Sequence, residues 1–129
     1  TDNAWHLISE GAGAPTEEQQ AAMAAMETRA GLHGHTHLPI AYIEDDGRLE
    51  TMSPGSGSEL AIDGRRVLLN PGSVGQPRDG IPTSGWMLLD TDAGTATWRR
   101  TAYDISDVQA AMTRLGLPER LVARLAYGL

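Results

Sequence analysis

The chain has 129 residues, enough for one domain with a modest core. Its net charge is −7 and it has no run of Lys or Arg, which argues against a general nucleic-acid surface or an anionic-membrane surface. It has no cysteine, which excludes disulfides, thiolate metal sites and a cysteine nucleophile. No apolar run approaches the ~18 residues that span a bilayer and no secretory signal is present, so we expect a soluble, cytoplasmic protein.

The first predicted element is a helix. Thr16, followed by two glutamates, is typical of a helix start, and the pattern continues to Arg29. The Ala and Met residues of this segment should form one small apolar face that packs closely on a sheet. Gly31 is predicted to end the helix, and a short strand then carries Leu32 and His33.

Three histidines fall within residues 33–37. In an extended segment alternate side chains face the same way, so the three imidazoles can converge on one point. Gly34 also permits a sharp turn that would leave His35 and His37 at the tip of a strand. Because neutral imidazole is the commonest protein ligand for transition metals, the pattern predicts metal binding rather than a run of exposed or hydrogen-bonded histidines. His6 stands alone and is predicted to lie at the surface.

Three hairpins are predicted in the middle of the chain. Their strands are 40–44 with 48–52, 60–63 with 65–69, and 86–90 with 95–103. Asp45-Asp46-Gly47 is a strong turn signal for the first hairpin. The apolar run 67–69 indicates a buried strand, and Trp98 is expected in the sheet.

Two helices are predicted at the end of the chain. Asp104 or Ser106 caps an amphipathic helix through Leu115, which Gly116 ends, and a short helix covers 118–126. Hairpins with helices at both ends predict an α+β fold.

A second motif, residues 70–78, follows the buried strand and reads Asn-Pro-Gly-Ser-Val-Gly-Gln-Pro-Arg. Its glycines allow backbone N–H groups to approach an anion closely. Asn70 and Ser73 can hydrogen-bond, and the guanidinium of Arg78 suits phosphate oxygens. Alone, such a loop usually indicates only a turn. Beside a metal-binding loop at the end of a neighbouring strand, it predicts a functional site.

The two motifs together resemble the C-terminal part of the calcineurin-like metallophosphoesterases. Gly34-His35-Thr36-His37 matches the closing Gly-His-x-His motif of that family. Residues 70–80 resemble the loop of the small bacterial branch that includes the YfcE-like phosphodiesterases, and the similarity covers roughly residues 32–90, with 116–120 also similar. The resemblance implies half of a four-layer α/β/β/α sandwich, with mostly antiparallel or mixed sheet and flanking helices.

The family's chemistry implies a metal-dependent phosphoesterase that hydrolyses phosphodiesters or phosphomonoesters with a dinuclear metal centre and a bridging hydroxide. By this resemblance His35 would bind one metal ion and His37 the other. Mn²⁺ is the favoured metal, with Fe, Zn, Mg and Ni as alternatives. The partner would be a phosphorylated small-molecule substrate. The residues expected to shape the substrate pocket are Asn70, Gly72, Ser73 and Arg78.

The chain departs from the family in one respect. It lacks the Asp-x-His, Gly-Asp and Gly-Asn-His-Asp/Glu motifs and the further His that supply the other ligands. Residues 1–129 are therefore expected to be the C-terminal portion of one domain whose N-terminal half is absent, with no certain catalytic residue and little or no activity alone.

Two alternatives stay open. In the first, His33, His35 and His37 share one strand face and hold a single zinc ion of a mononuclear hydrolase. In the second, the chain is a non-catalytic domain whose unpaired sheet edge leads to self-association or to pairing with a missing half.

Overall fold

The computed structural model of the protein describes residues 17–129, so the predicted helix start at Thr16 and the surface position of His6 lie outside the described residues. The helices are α1 (Glu17–Ala24), α2 (Ile105–Arg114) and α3 (Glu119–Ala123), followed by a 3₁₀ turn (Arg124–Tyr127) that divides the last predicted helix. The strands are β1 (Ala30–Leu32), β2 (Pro39–Asp45), β3 (Arg48–Met52), β4 (Glu59–Ala61), β5 (Arg66–Pro71), β6 (Ser84–Asp90) and β7 (Thr95–Thr101). Within residues 17–129, no helix has the length and apolar character that crossing a bilayer requires.

The strands form two sheets. The first is mixed, with the order β1-β5-β2-β3, and β5 pairs parallel with β1 and antiparallel with β2. The second is antiparallel, with the order β4-β7-β6. With helices before and after these sheets, the structure confirms the predicted α+β fold.

The two sheets pack face to face around one apolar core. Successive side chains of a strand point to opposite faces, so β2 and β5 each contribute to two layers. The residues buried between the sheets are Ala41, Ile43, Leu60, Val67, Leu69, Ala96 and Trp98. On the outer face of the mixed sheet, Met23 of α1 packs against Tyr42 and Leu68, so the helix lies on the sheet as predicted. The contact is made by Met23 and not by a continuous Ala/Met face, because Ala21 and Ala24 are exposed.

Two of the three predicted hairpins are confirmed. β2 and β3 are joined through Asp46 and Gly47, whose φ angles of 46° and 75° are those that a tight two-residue turn requires. β6 and β7 form the other confirmed hairpin. The predicted pairing of 60–63 with 65–69 is wrong, because β4 pairs with β7 in the second sheet whereas β5 lies inside the first. An apolar run is suited to that interior position, where both faces of the strand are covered.

The first helix ends at Ala24, before the predicted end at Arg29. The guanidinium of Arg66 donates to the carbonyl oxygens of Met23 and Met26, the second at 2.8 Å. Met23 lies in the last turn of α1 and Met26 two residues beyond its end, so this side chain of β5 fixes the end of the helix on the sheet.

Two glycines predicted to end helices have different parts in the structure. Gly31 lies in β1, where an added Cβ would lie 3.0 Å from the methyl group of Met26, so it permits close packing of the segment that follows α1. Gly116 ends α2 as predicted, with a left-handed φ of 72°. At the other end of α2, the carboxylate of Asp104 accepts a hydrogen bond from the backbone N–H of Asp107 and forms the predicted cap.

Candidate metal centre

Residues 33–38, which we call the histidine loop, connect β1 to β2 and are not extended. His35 and His37 have positive φ angles of 73° and 63°. This left-handed conformation costs a residue with a side chain about 1–2 kcal/mol and persists only where the surroundings enforce it. The predicted alternation of three imidazoles along one straight strand is therefore wrong, whereas the turn expected after Gly34 is present.

Asn70, at the end of β5, holds the histidine loop from inside. Its side chain is 0% exposed. The amide nitrogen donates to the carbonyl oxygen of Gly34 at 3.2 Å and to the hydroxyl of Thr36 at 3.0 Å, and it lies 3.3 Å from Nδ1 of His33. The amide oxygen accepts from the backbone N–H of Gly72 at 2.9 Å. Both ends of the amide are thus used within the protein, and the loop is fixed to the sheet.

The residues predicted to shape a substrate pocket have different environments. Arg78 is exposed, whereas Gly72 and Ser73 are half-buried. The hydroxyl of Ser73 accepts from the backbone N–H of Gln76 at 2.9 Å and shapes the loop. A buried Asn70 does not reach a substrate, so we correct its predicted role to that of holding the histidine loop. Substrate contact by Arg78 stays a prediction.

His37 has the geometry of a metal-ligating histidine. Its Nδ1 lies 2.6 Å from the backbone carbonyl oxygen of Gln76. Because a carbonyl oxygen only accepts, this partner assigns the hydrogen to Nδ1 and leaves the lone pair on Nε2. Histidines that bind metals commonly donate their other ring N–H to a carbonyl in this way. His37 is half-buried and His35 is exposed, so the two imidazoles lie at the surface of the loop.

Gln76 and Thr36 are contributors to the site that the motifs do not predict. Thr36 is 7% exposed and receives the hydrogen bond of Asn70. Gln76 acts through its backbone carbonyl, which any residue type provides, so the identity of its side chain does not predict this role. The available signal is Pro77, since a residue before proline is held in an extended conformation and its carbonyl direction is restricted.

His33 has a different environment from the other two histidines. It is 9% exposed and its ring stacks on Tyr42, with ring centroids 6.3 Å apart and planes inclined by 26°. Burial lowers the pKa of His33 and favours the neutral imidazole, an effect that a backbone hydrogen bond to Gly34 partly opposes. Within the described residues, its buried Nε2 has no hydrogen-bond partner.

The donor set fits part of a metal centre. No group of three or more His, Asp or Glu side chains within residues 17–129 is placed to hold a metal ion. The alternative of a three-histidine zinc site is therefore wrong for this structure. His35 and His37 offer two imidazoles, whereas a zinc ion alone takes four ligands and a metal pair needs a bridging group. The remaining ligands, carboxylates above all, are not supplied by residues 17–129.

An apolar cleft opens beside the histidine loop. It has a volume of ≈ 610 Å³ and lies between β1 and β6, which are the edge strands of their sheets. Leu32, Val74 and Trp86 line it and are 61%, 67% and 41% exposed. His33 also lines the cleft. Within residues 17–129 both edges are unpaired, and two such edges with an apolar surface between them are typical of a place where further polypeptide packs.

Known proteins resemble this chain in both sequence and fold. No model of a known protein family matches it. The crystal structure of a metallophosphoesterase from Sphaerobacter thermophilus matches 82% of the chain, with 41% identity and a TM-score of 0.78, and the match covers 44% of that protein. An uncharacterized protein of Methanocaldococcus jannaschii is 34% identical over 95 residues, which are 74% of this chain and 37% of the relative. The chain spans less than half the length of either.

The chain resembles the Sphaerobacter protein in both sequence and fold. This similarity agrees with the Gly-His-Thr-His motif of the histidine loop. The narrower assignment to the YfcE-like branch stays a prediction. The combined sequence, fold and motif support the resemblance of this chain to the calcineurin-like metallophosphoesterase family.

Proposed function

We propose that the chain forms part of a metal-dependent phosphoesterase in which His35 and His37 bind divalent metal ions. The observation that carries the proposal is the 2.6 Å contact between Nδ1 of His37 and the carbonyl oxygen of Gln76, which leaves Nε2 for a metal. The similarity to a metallophosphoesterase supports hydrolysis of a phosphodiester or a phosphomonoester as the reaction class. Mn²⁺ is the favoured ion because imidazole and carboxylate donors suit it, and Fe, Zn, Mg and Ni share these preferences to varying degrees.

Two groups of the chain's own residues would act on a phosphorylated small molecule: the metal-binding histidines and Arg78. Bound divalent ions would supply charge neutralisation and an activated water. His35 and His37 would hold those ions, and the hydrogen bonds of the Asn70 amide fix the loop that carries both residues. Arg78 is exposed two residues after Gln76 and would bind phosphate oxygens through its planar guanidinium.

We further propose that this chain is inactive by itself. Two imidazoles do not keep two cations close together without an anionic bridge. The missing carboxylates would come from a polypeptide that corresponds to the unmatched part of the longer relatives. The extra length of those relatives and the apolar cleft between β1 and β6 support this source. A second copy of the chain is the competing source.

Metal content tests this proposal. After incubation with Mn²⁺ and removal of excess, we expect less than one tightly held ion per chain. Hydrolysis of bis(p-nitrophenyl) phosphate should not exceed that of a His35→Ala/His37→Ala double variant, which controls for contaminating enzyme. Two ions per chain together with turnover would contradict inactivity, and equilibrium sedimentation would then show whether a second copy completes the site.

His33→Phe separates the two-histidine site from a three-histidine zinc site. Phe keeps an aromatic ring against Tyr42 and removes both ring nitrogens of His33. Nε2 has no partner in the described structure, and Nδ1 makes only long contacts of 3.3 Å to the Asn70 amide and 3.4 Å to the Gly34 carbonyl.

We therefore expect a folded protein whose Zn²⁺ affinity changes by less than about twofold, because the substitution leaves His35, His37 and the Gln76 carbonyl unchanged. Competition with a chromophoric chelator measures this affinity. A large loss of Zn²⁺ affinity in a folded His33→Phe chain would instead support the three-histidine zinc site.

A further inference from the structure

A largely buried ion pair, Asp79 with Arg100, closes the loop that carries the Gln76 carbonyl. Arg100 on β7 donates to the carboxylate of Asp79 and, through Nη1, to the carbonyl oxygen of Thr83 at 2.9 Å. The side chains of Arg100 and Asp79 are only 12% and 16% exposed. This pair therefore fastens the end of the 70–79 segment to the second sheet.

Fold stability alone is a poor explanation for this pair. Removing two charges from water costs free energy that their attraction often only offsets, so an apolar pair of similar size can serve stability equally well. Within the described residues, Oδ1 of Asp79 is also buried without a hydrogen-bond partner, which weakens the net gain further. The pair does provide a fixed, directional connection between a loop and a strand.

The connection leads to the carbonyl that His37 contacts. Gln76 lies three residues before Asp79, and Pro77 between them is fully buried, so the backbone from the ion pair to the carbonyl has little freedom. On the other side, the N–H of Gln76 donates to the hydroxyl of Ser73 at 2.9 Å. The carbonyl oxygen of Ser73 in turn accepts from the N–H of Gly85 on β6 at 2.8 Å. The carbonyl of Gln76 is thus held from both directions by the second sheet.

We propose that Asp79 and Arg100 are positioning residues for the metal centre. They hold the Gln76 carbonyl against Nδ1 of His37 and thereby keep Nε2 in the tautomer and direction that bind a metal. The proposal rests on the proposed function for the metal itself. The state of the His37 ring is nevertheless measurable without any metal, so the two proposals can fail separately.

The test is long-range ¹H–¹⁵N NMR of the imidazoles in ¹⁵N-labelled protein, combined with Zn²⁺ titration. In the unaltered chain, His37 should show one tautomer with hydrogen on Nδ1. In Asp79→Asn we expect its signals to move toward a mixture of tautomers and the Zn²⁺ affinity to fall about 10- to 100-fold, as for loss of other partners of ligating histidines. Glu44→Gln is the matched control, because it breaks the 3.4 Å ion pair with Arg66 at the far end of β2, and it should change neither readout.

A double variant, Asp79→Asn/Arg100→Gln, removes both charges and leaves no buried charge unpaired, so it provides a folded protein if Asp79→Asn alone does not fold. Unchanged His37 signals in a folded variant overturn the proposal, even if the melting temperature falls, since the pair would then only stabilise the fold. Shifted signals with unchanged Zn²⁺ affinity keep the positioning role and instead remove His37 from the proposed metal site.

Discussion

Asn70→Ala is expected to lower the free energy of unfolding by about 3 kcal/mol and to release the histidine loop. The variant removes the hydrogen bonds of the amide to the carbonyl of Gly34, the hydroxyl of Thr36 and the N–H of Gly72. The first two groups keep the backbone N–H groups of Thr36 and Leu38 as partners, so the N–H of Gly72 is the group that the variant leaves unsatisfied within the described residues. An unsatisfied buried polar group costs about 1–3 kcal/mol. The cavity left at a fully buried side chain adds to the loss.

Urea unfolding measures this loss, and Gln109→Ala is a matched control. The amide of Gln109 donates one hydrogen bond to the carbonyl oxygen of Val122 at 2.9 Å, away from the histidine loop. Losing that single bond should cost about 1 kcal/mol. If Asn70→Ala cost no more than Gln109→Ala, Asn70 would not be what holds the loop.

His37→Ala has the largest expected effect on metal binding. A site with two imidazoles keeps only one in this variant, so the Zn²⁺ affinity of the chain should fall by more than the 10- to 100-fold typical of losing an outer partner. His35→Ala should have an effect of the same order. In any assembly of the chain that hydrolyses a phosphodiester, either substitution should remove most of the turnover, because each imidazole is proposed to hold a metal ion.

Arg78→Ala controls for a general effect of removing a polar side chain near the site. Arg78 is exposed and is not a proposed metal ligand, so its loss should leave Zn²⁺ affinity unchanged while raising the KM of an active assembly. A His37→Ala chain that binds Zn²⁺ as tightly as the unaltered chain would contradict the proposed ligand role.

The sequence located the histidine loop and its turn after Gly34, but not the left-handed backbone of His35 and His37. Asn70 and Gln76 enforce the turned backbone, and they lie 36 residues from Gly34 and 39 residues from His37 along the chain. A left-handed backbone is uncommon for any residue with a side chain, histidine included, so the geometry follows from tertiary hydrogen bonds that the motif does not encode. The polar character of Asn70 was equally consistent with ligand contact and with structural support, and its burial decides between them.

Strand pairing shows the same division between local and distant determinants. The hairpin at Asp46 and Gly47 was predictable because its turn residues fix the pairing within a few positions. The partners of β5 were not, because β1 and β2 are far from it in sequence. Its unbroken apolar run indicated burial on both faces, which is the property of an interior strand and argues against a simple hairpin.

The contact between His37 and Gln76 constrains the number of residues in the 70–79 segment as well as their identity. Asn70 is anchored to the histidine loop and Asp79 to Arg100, so the backbone between them has a set span. One inserted or deleted residue would carry the Gln76 carbonyl away from Nδ1, whereas replacement of the exposed Val74 leaves the backbone path unchanged. Divergence among proteins that keep this contact should therefore proceed by substitution at exposed positions and not by changes in loop length.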